Sequence, residues 1–262
     1  MRWVNSYLKF TGALFLFTCL CAPPTYACEP NKSDASYPPL SVGGGFLVFA
    51  PVAVLEDEGK STPEMGIGVS FIDCSTGAIK FIARLPYVAD PGAVKDAFVA
   101  DVAPGNPTIF IIHSAPIRAF TGVSYGSEYF SVMVFHQKGK DFLLDQKLTD
   151  YFGSGVDVVI HAADNDTSIY TYPYKVRGAI IDKLKSERYR RWLSGSPTEL
   201  TVARKAVIYS SMTVADPTKM YLVKGDKVMQ EAVSAGWVSI LYKTVKGKEI
   251  RGWLLCDDVG GC

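Results

Sequence analysis

Along most of this chain, apolar and polar residues alternate with the two-residue period of half-buried β-strands. Short runs rich in Val, Ile, Phe and Tyr occupy 46–55, 66–72, 79–85, 97–102, 108–113, 129–137, 142–144, 156–162 and 168–172. Turn pieces such as Ser75-Thr76-Gly77, Pro104-Gly105-Asn106-Pro107 and Lys138-Gly139-Lys140 separate them. The spacing predicts consecutive antiparallel hairpins, arranged as a meander, a sandwich or a propeller-like stack. Helical periodicity is confined to 176–193, where Val176, Ile180, Leu184 and Trp192 form an apolar stripe and Lys or Arg fill the other faces. Ser194-Gly195-Ser196-Pro197 ends that helix, because glycine caps it and proline cannot continue it. From Thr198 six short runs return in about 60 residues, few enough that a small barrel is the expected way to bury them. The fold class is therefore mainly β, with one linking helix.

Two ends of the chain refine this outline. Residues 1–27 place Arg2 and Lys9 before an apolar stretch and end in Thr25-Tyr26-Ala27, the pattern of an export signal too short to span a bilayer comfortably. Cleavage after Ala27 leaves Cys28 first, which raises lipidation as a lesser alternative; the expected location is periplasmic or secreted. Residues 28–45, with Pro38-Pro39 and three consecutive glycines, read as an extended lead-in. The expected organisation is then an N-terminal β domain over 46–174, a linker over 175–197 and a C-terminal barrel over 198–262. Past the export signal, no stretch of 18 apolar residues occurs, so no transmembrane segment is expected in the mature chain.

Charge is distributed unevenly. Residues 28–174 hold 9 Lys/Arg against 17 Asp/Glu (−8), residues 175–197 hold 7 against 2 (+5), and residues 198–262 hold 9 against 7 (+2). Nucleic acid, which selects a broad basic face, is not an expected partner. The basic linker suits a solvated face or contact with the acidic N-terminal body. The mature chain keeps Cys28, Cys74, Cys256 and Cys262, an even number behind an export signal, as disulfide staples require. Three pairings are open. The closeness of Cys256 to Cys262, with Gly260-Gly261 between them, favours Cys256–Cys262 and Cys28–Cys74.

Residues 206–255 carry a resemblance. Ala206-Val-Ile-Tyr209, Lys219-Met-Tyr-Leu-Val-Lys-Gly-Asp226, Gly236-Trp-Val-Ser-Ile240 and Gly252-Trp-Leu-Leu255 resemble a bacterial Src-homology-3-like domain over about 199–259. The resemblance implies a barrel that binds a protein partner or cell-wall peptide and leaves catalysis to other domains. It points to Trp237, with Tyr209, Tyr221 and Tyr242 beside it, as the aromatic ligand surface, while Trp253 is expected to pack. Flat rings give such a surface large contact area at low entropic cost. The hairpin 243–250 is longer and more basic than a minimal turn; its Lys243, Lys246 and Lys248 suit an acidic protein patch as well as a stem peptide.

Catalytic chemistry finds little support. Gly122-Val-Ser-Tyr-Gly126 matches G-x-S-x-G, but a nucleophile elbow leads into a helix and here a strand pattern follows, so Ser124 reads as part of a hairpin turn. His113, His136 and His161 are too widely spaced for a local zinc motif and read as satisfied strand-end side chains. Asp164-Asn165-Asp166-Thr167-Ser168 lacks the turn glycine and downstream glutamate of a calcium loop. Segments 97–112 and 155–170 faintly resemble each other and the blades of integrin-type propellers. No metal or cofactor is expected. The functional expectation is an exported, non-enzymatic binding protein, in one version an immunity or inhibitor protein against a cell-wall-acting effector. The alternative is an envelope hydrolase that uses the barrel to reach peptidoglycan.

Overall fold

A computed structural model of the chain describes residues 28, 35–55, 61–117, 124–161 and 166–262. The export signal, most of the G-x-S-x-G turn and the acidic turn at 164–165 lie outside the described residues, as do the side chains of Ser124 and His161. The first four strands, β1 (Tyr37–Val42), β2 (Gly45–Leu55), β3 (Ser61–Asp73) and β4 (Ile79–Arg84), pair in chain order as an antiparallel meander. β1 corrects the expected lead-in at its C-terminal end. Tyr37 packs edge-to-face on Phe49 at 5.6 Å, and Pro38-Pro39 fall at a register shift on this edge strand, where a missing N–H breaks no ladder.

The second sheet contains β5 (Ala93–Asp101), β6 (Pro107–Pro116) and, beyond the two-residue β7 (Ser124–Tyr125), β8 (Glu128–Lys138). β9 (Asp141–Leu144) and, after helix α1 (Gln146–Phe152), β10 (Ser154–Gly155) both pair with β8. At its centre, β6 is buried continuously from Thr108 to Ala115, which requires cover on both faces. Ile109 and Ile111 join Leu47, Phe49, Val69 and Phe71 of the meander in one core. Phe110 and Ile112 face the opposite way, into a larger core with Phe98, Val132, Val134 and Phe152. The first two sheets therefore form a sandwich, and a third layer covers its far side.

That third layer begins with α1, which the sequence pattern passed over. Asp145 caps it, its Oδ1 accepting from the Leu148 N–H at 2.8 Å, and Leu148, Tyr151 and Phe152 present a short buried face. β11 (Val158–His161) and β12 (Asp166–Tyr170) form a hairpin with β7 on its edge. The two look-alike segments are thus hairpins in different sheets, β5–β6 and β11–β12, and not successive blades. The single helix expected over 176–193 is two, α2 (Arg177–Lys185) and α3 (Glu187–Leu193). Ser186 breaks it by taking extended dihedrals and capping α3, its Oγ accepting from the Tyr189 N–H at 3.1 Å.

β13 (Glu199–Thr201), β14 (Ala206–Tyr209), β15 (Pro217–Leu222), β16 (Lys227–Ser234), β17 (Trp237–Lys243) and β18 (Glu249–Leu255) are the six strands expected after residue 198. They form one antiparallel sheet in the order β13-β16-β17-β18-β14-β15. No ladder joins β13 to β15, so the expected closed barrel is instead an open sheet. Residues from both faces of this sheet are buried together with the rest of the molecule. Val233, Ala235, Trp237, Val238 and Leu255 belong to the same core as Phe110, Phe152 and Tyr172. The boundary expected at 174/198 is therefore not a boundary between cores.

Both disulfides pair as the cysteine spacing favoured, Cys28–Cys74 and Cys256–Cys262, with Cα separations of 5.2 and 5.0 Å. A Cys28 sulfur bonded to Cys74 is not free to carry a lipid thioether. Among the described residues, no helix is long and apolar enough to cross a membrane. Basic linker residues do reach the acidic body: Arg177 forks onto Asp96 at 2.9 and 2.5 Å, and Lys175 meets Asp157 at 2.5 Å. Lys183 and Arg188 turn the other way and donate to main-chain oxygens of the C-terminal disulfide loop, at Cys262 (2.6 Å) and Val259 (3.2 Å).

Candidate binding site

Pairing of β17 with β18 sorts the expected ligand residues by face. Trp237, Ser239, Leu241 and Lys243 lie opposite Leu255, Trp253, Arg251 and Glu249, whereas Val238, Ile240 and Tyr242 lie opposite Leu254, Gly252 and Ile250 on the other side. β14 brings Tyr209 opposite Trp253, and β15 brings Tyr221 opposite Val207. Tyr209, Tyr221, Trp237 and Trp253 thus share one face of the sheet, and Tyr242 stands on the other with Val238 and Ile240, both fully buried.

Burial divides these aromatics further. Trp237 is 2 % exposed, its ring 5.5 Å from Tyr170 and 5.2 Å edge-on to Tyr209, which is itself 8 % exposed. Trp253 is half-buried. Trp253 packs against the core as expected, but the ring proposed for ligand contact is the more deeply packed of the two. Its burial follows from the turn that precedes it. Ala235 and Gly236 both adopt positive φ, 51° and 81°, and carry the β16–β17 reversal into the body of the protein. Left-handed backbone at an alanine costs about 1–2 kcal/mol. Contacts hold it there: the Ala235 N–H donates to the Tyr151 carbonyl at 3.0 Å, the Tyr170 hydroxyl donates to the Ala235 carbonyl, and Ser234 Oγ donates to the Asp150 carbonyl at 2.6 Å. A Cβ at Gly236 would stand 3.0 Å from the Pro173 ring.

Tyr221 is the exposed member of the set at 55 %, on β15, one of the two edge strands of the sheet. Met220 and Val223 beside it are 40 % and 50 % exposed, and Met212 in the preceding loop is 46 % exposed. Lys205 holds its ammonium 4.5 Å over the Tyr221 ring, and Lys219 and Lys224 are exposed on either side. At the far end of β17 the basic hairpin projects into solvent. Lys243, Val245, Lys246 and Lys248 are exposed, Gly247 takes φ 78° at the turn, and Lys243 meets Glu249 at 3.3 Å. Seven residues of extended strand put this tip roughly 20 Å from Trp237, so hairpin and tryptophan do not form one contact surface.

Tyr125, Tyr129, Tyr170 and Trp237 line a cleft of about 210 Å³ between the β7–β11–β12 sheet and the C-terminal sheet, with Met212 also in its lining. Sequence reading passed over Tyr125, Tyr129 and Met212. They belong to separate runs, and nothing local marks them as neighbours.

His113 and His136 make contacts inside the molecule. His113 is 1 % exposed, its Nε2 lies 2.8 Å from the Pro91 carbonyl oxygen, and burial pushes its pKa below the ordinary value. His136 lies between Thr108 and Asp145, with Nδ1 3.2 Å from the Thr108 hydroxyl and Nε2 2.5 Å from Asp145 Oδ2. The order resembles a hydroxyl–imidazole–carboxylate relay, but Thr108 is completely buried and Asp145 is also the α1 cap. The trio is a clamp joining β6, β8 and α1. Among the described residues, no group of three or more His, Cys, Asp or Glu is placed to hold a metal ion.

No family model, curated protein or solved structure matches this chain.

Proposed function

We propose that this chain is an exported, non-enzymatic binding protein whose C-terminal sheet, similar in its motifs to bacterial Src-homology-3-like domains, recognises a protein partner in the cell envelope. The edge strand β15 carries this reading. A free edge offers unpaired main-chain donors and acceptors to an added strand, and most soluble proteins blunt such edges. This edge carries Pro217 and Lys219 at its start, which blunt that end, but from there on it exposes Met220 and Tyr221, followed by Val223, with Lys205 and Lys224 around them. An apolar centre with a cationic rim fits a protein surface of matching shape and acidic rim.

Two disulfides suit an oxidising compartment, and with the export signal they support a periplasmic or secreted location. The specific version is an inhibitor or immunity protein that occludes a secreted cell-wall-acting effector. The test is in-cell crosslinking from a photoreactive phenylalanine at position 221, paired with sedimentation of the purified protein with sacculi. A discrete adduct from position 221 but not from exposed position 79, with no pelleting, is expected. Pelleting with sacculi, or the same adducts from both positions, overturns the reading.

A further inference from the structure

The cleft between the third sheet and the C-terminal sheet has a composition that selects its occupant. Among the described residues, its lining contains four aromatic rings and no charged side chain, so a charged group entering it would give up water and find no counter-charge there. At about 210 Å³ it exceeds the roughly 150 Å³ that suffices for a benzene ring in an engineered cavity. Rings stack edge-on or offset against such walls with specific geometry.

Sugar recognition is the competing chemistry, and the polar inventory disfavours it. Among the described residues, the lining has no carboxylate, carboxamide or guanidinium to pair with the hydroxyls of a saccharide. One of its polar handles is already engaged, since the Tyr170 hydroxyl donates to the Ala235 carbonyl. Two strand edges border the cleft, β10 of the second sheet and β7 of the third, neither extended by a further strand among the described residues. Met212, in the same lining, is exposed in the loop that leads into β15, which makes the cleft continuous with the surface proposed above.

We infer that this cleft is a socket for an uncharged aromatic side chain carried on an extended segment of a polypeptide partner. The inference rests on the protein-binding reading for its choice of a polypeptide; the socket chemistry is independent of it. The experiment titrates the disulfide-intact mature protein with acetyl-Gly-Phe-Gly-amide, acetyl-Gly-Glu-Gly-amide and N-acetylglucosamine, followed by 1H–15N NMR. Saturable shifts at Tyr125, Tyr129, Tyr170 and the Trp237 indole are expected with the Phe peptide, with roughly tenfold or greater weakening for the Glu peptide. Met212→Trp, which fills the mouth, and Thr213→Glu, which places a charge there, should each abolish the shifts without moving the melting temperature. Absence of saturable shifts, equal response to the Glu peptide, or shifts with the sugar alone overturns the socket. Phe-peptide binding by a protein that also pellets with sacculi would leave the socket standing and remove the protein-partner reading, so the two failures are separable.

Discussion

Trp237 and Trp253 show how far a single residue can be judged from its neighbours in sequence. Both follow a glycine, both lie in strands of the same ribbon, and the register places them on one face. What separates them is Tyr170, far away in the chain, whose ring covers Trp237. Removing a fully buried Trp side chain costs about 3–5 kcal/mol, and removing a half-buried one costs less. Trp237→Ala is therefore expected to lower the unfolding free energy by about that amount, and Trp253→Ala by roughly half or less. Chemical denaturation with both disulfides intact measures the pair, and the reverse order would mean that Tyr170 does not cover Trp237. The grouping of Tyr242 with Trp237 failed because the register puts them on opposite faces, and exposure was illegible in the sequence because it depends on a contact between distant segments. The same holds for Tyr125, Tyr129 and Met212, which only the tertiary fold brings to one cleft.

At the scale of elements, strands were legible and short helices were not. The runs at 46–55, 108–113 and 129–137 reappear within β2, β6 and β8 because a two-residue period needs few residues to declare itself. A seven-residue helix such as α1 spans only two turns, and its signal reduces to Asp145 followed by Leu148, Tyr151 and Phe152. The break at Ser186 was hidden by an apolar stripe that runs through both α2 and α3, although a serine positioned to cap Tyr189 stood in plain sight. The residue that starts α1 carries a second duty, since the other oxygen of Asp145 meets His136. Asp145→Ala should thus cost about 1–2 kcal/mol, a lost cap plus an imidazole left without its partner. Asp145→Asn keeps an acceptor for the Leu148 N–H and should cost less than half of that. Equal losses in thermal denaturation would show that the carboxylate charge, and not the cap, does most of the work.

For the whole molecule, the placement of the cores decides what can fold alone. Composition and motif place a domain boundary near residue 198, and a free-standing Src-homology-3-like barrel would justify it. The hydrophobic core crosses that line: Val233, Ala235, Trp237 and Leu255 cluster with Phe110, Phe152 and Tyr172, and the Ala235–Gly236 turn is bonded to α1 and β12. Burial of each large apolar side chain is worth about 1.5–3 kcal/mol, against a typical net stability of about 5–15 kcal/mol for a whole domain. Uncovering Trp237 and Leu255, which share one face, would consume a large part of what a sheet of this size can hold. A fragment of residues 198–262, with Cys256–Cys262 oxidised, is therefore expected to show neither a cooperative melt nor dispersed amide resonances. The mature chain is expected to unfold with coincident loss of Trp fluorescence and far-ultraviolet ellipticity. A fragment that folds on its own would restore the two-domain partition. It would also require Trp237 to find cover inside the C-terminal sheet, and the cleft beside it would then have to form by docking two finished units.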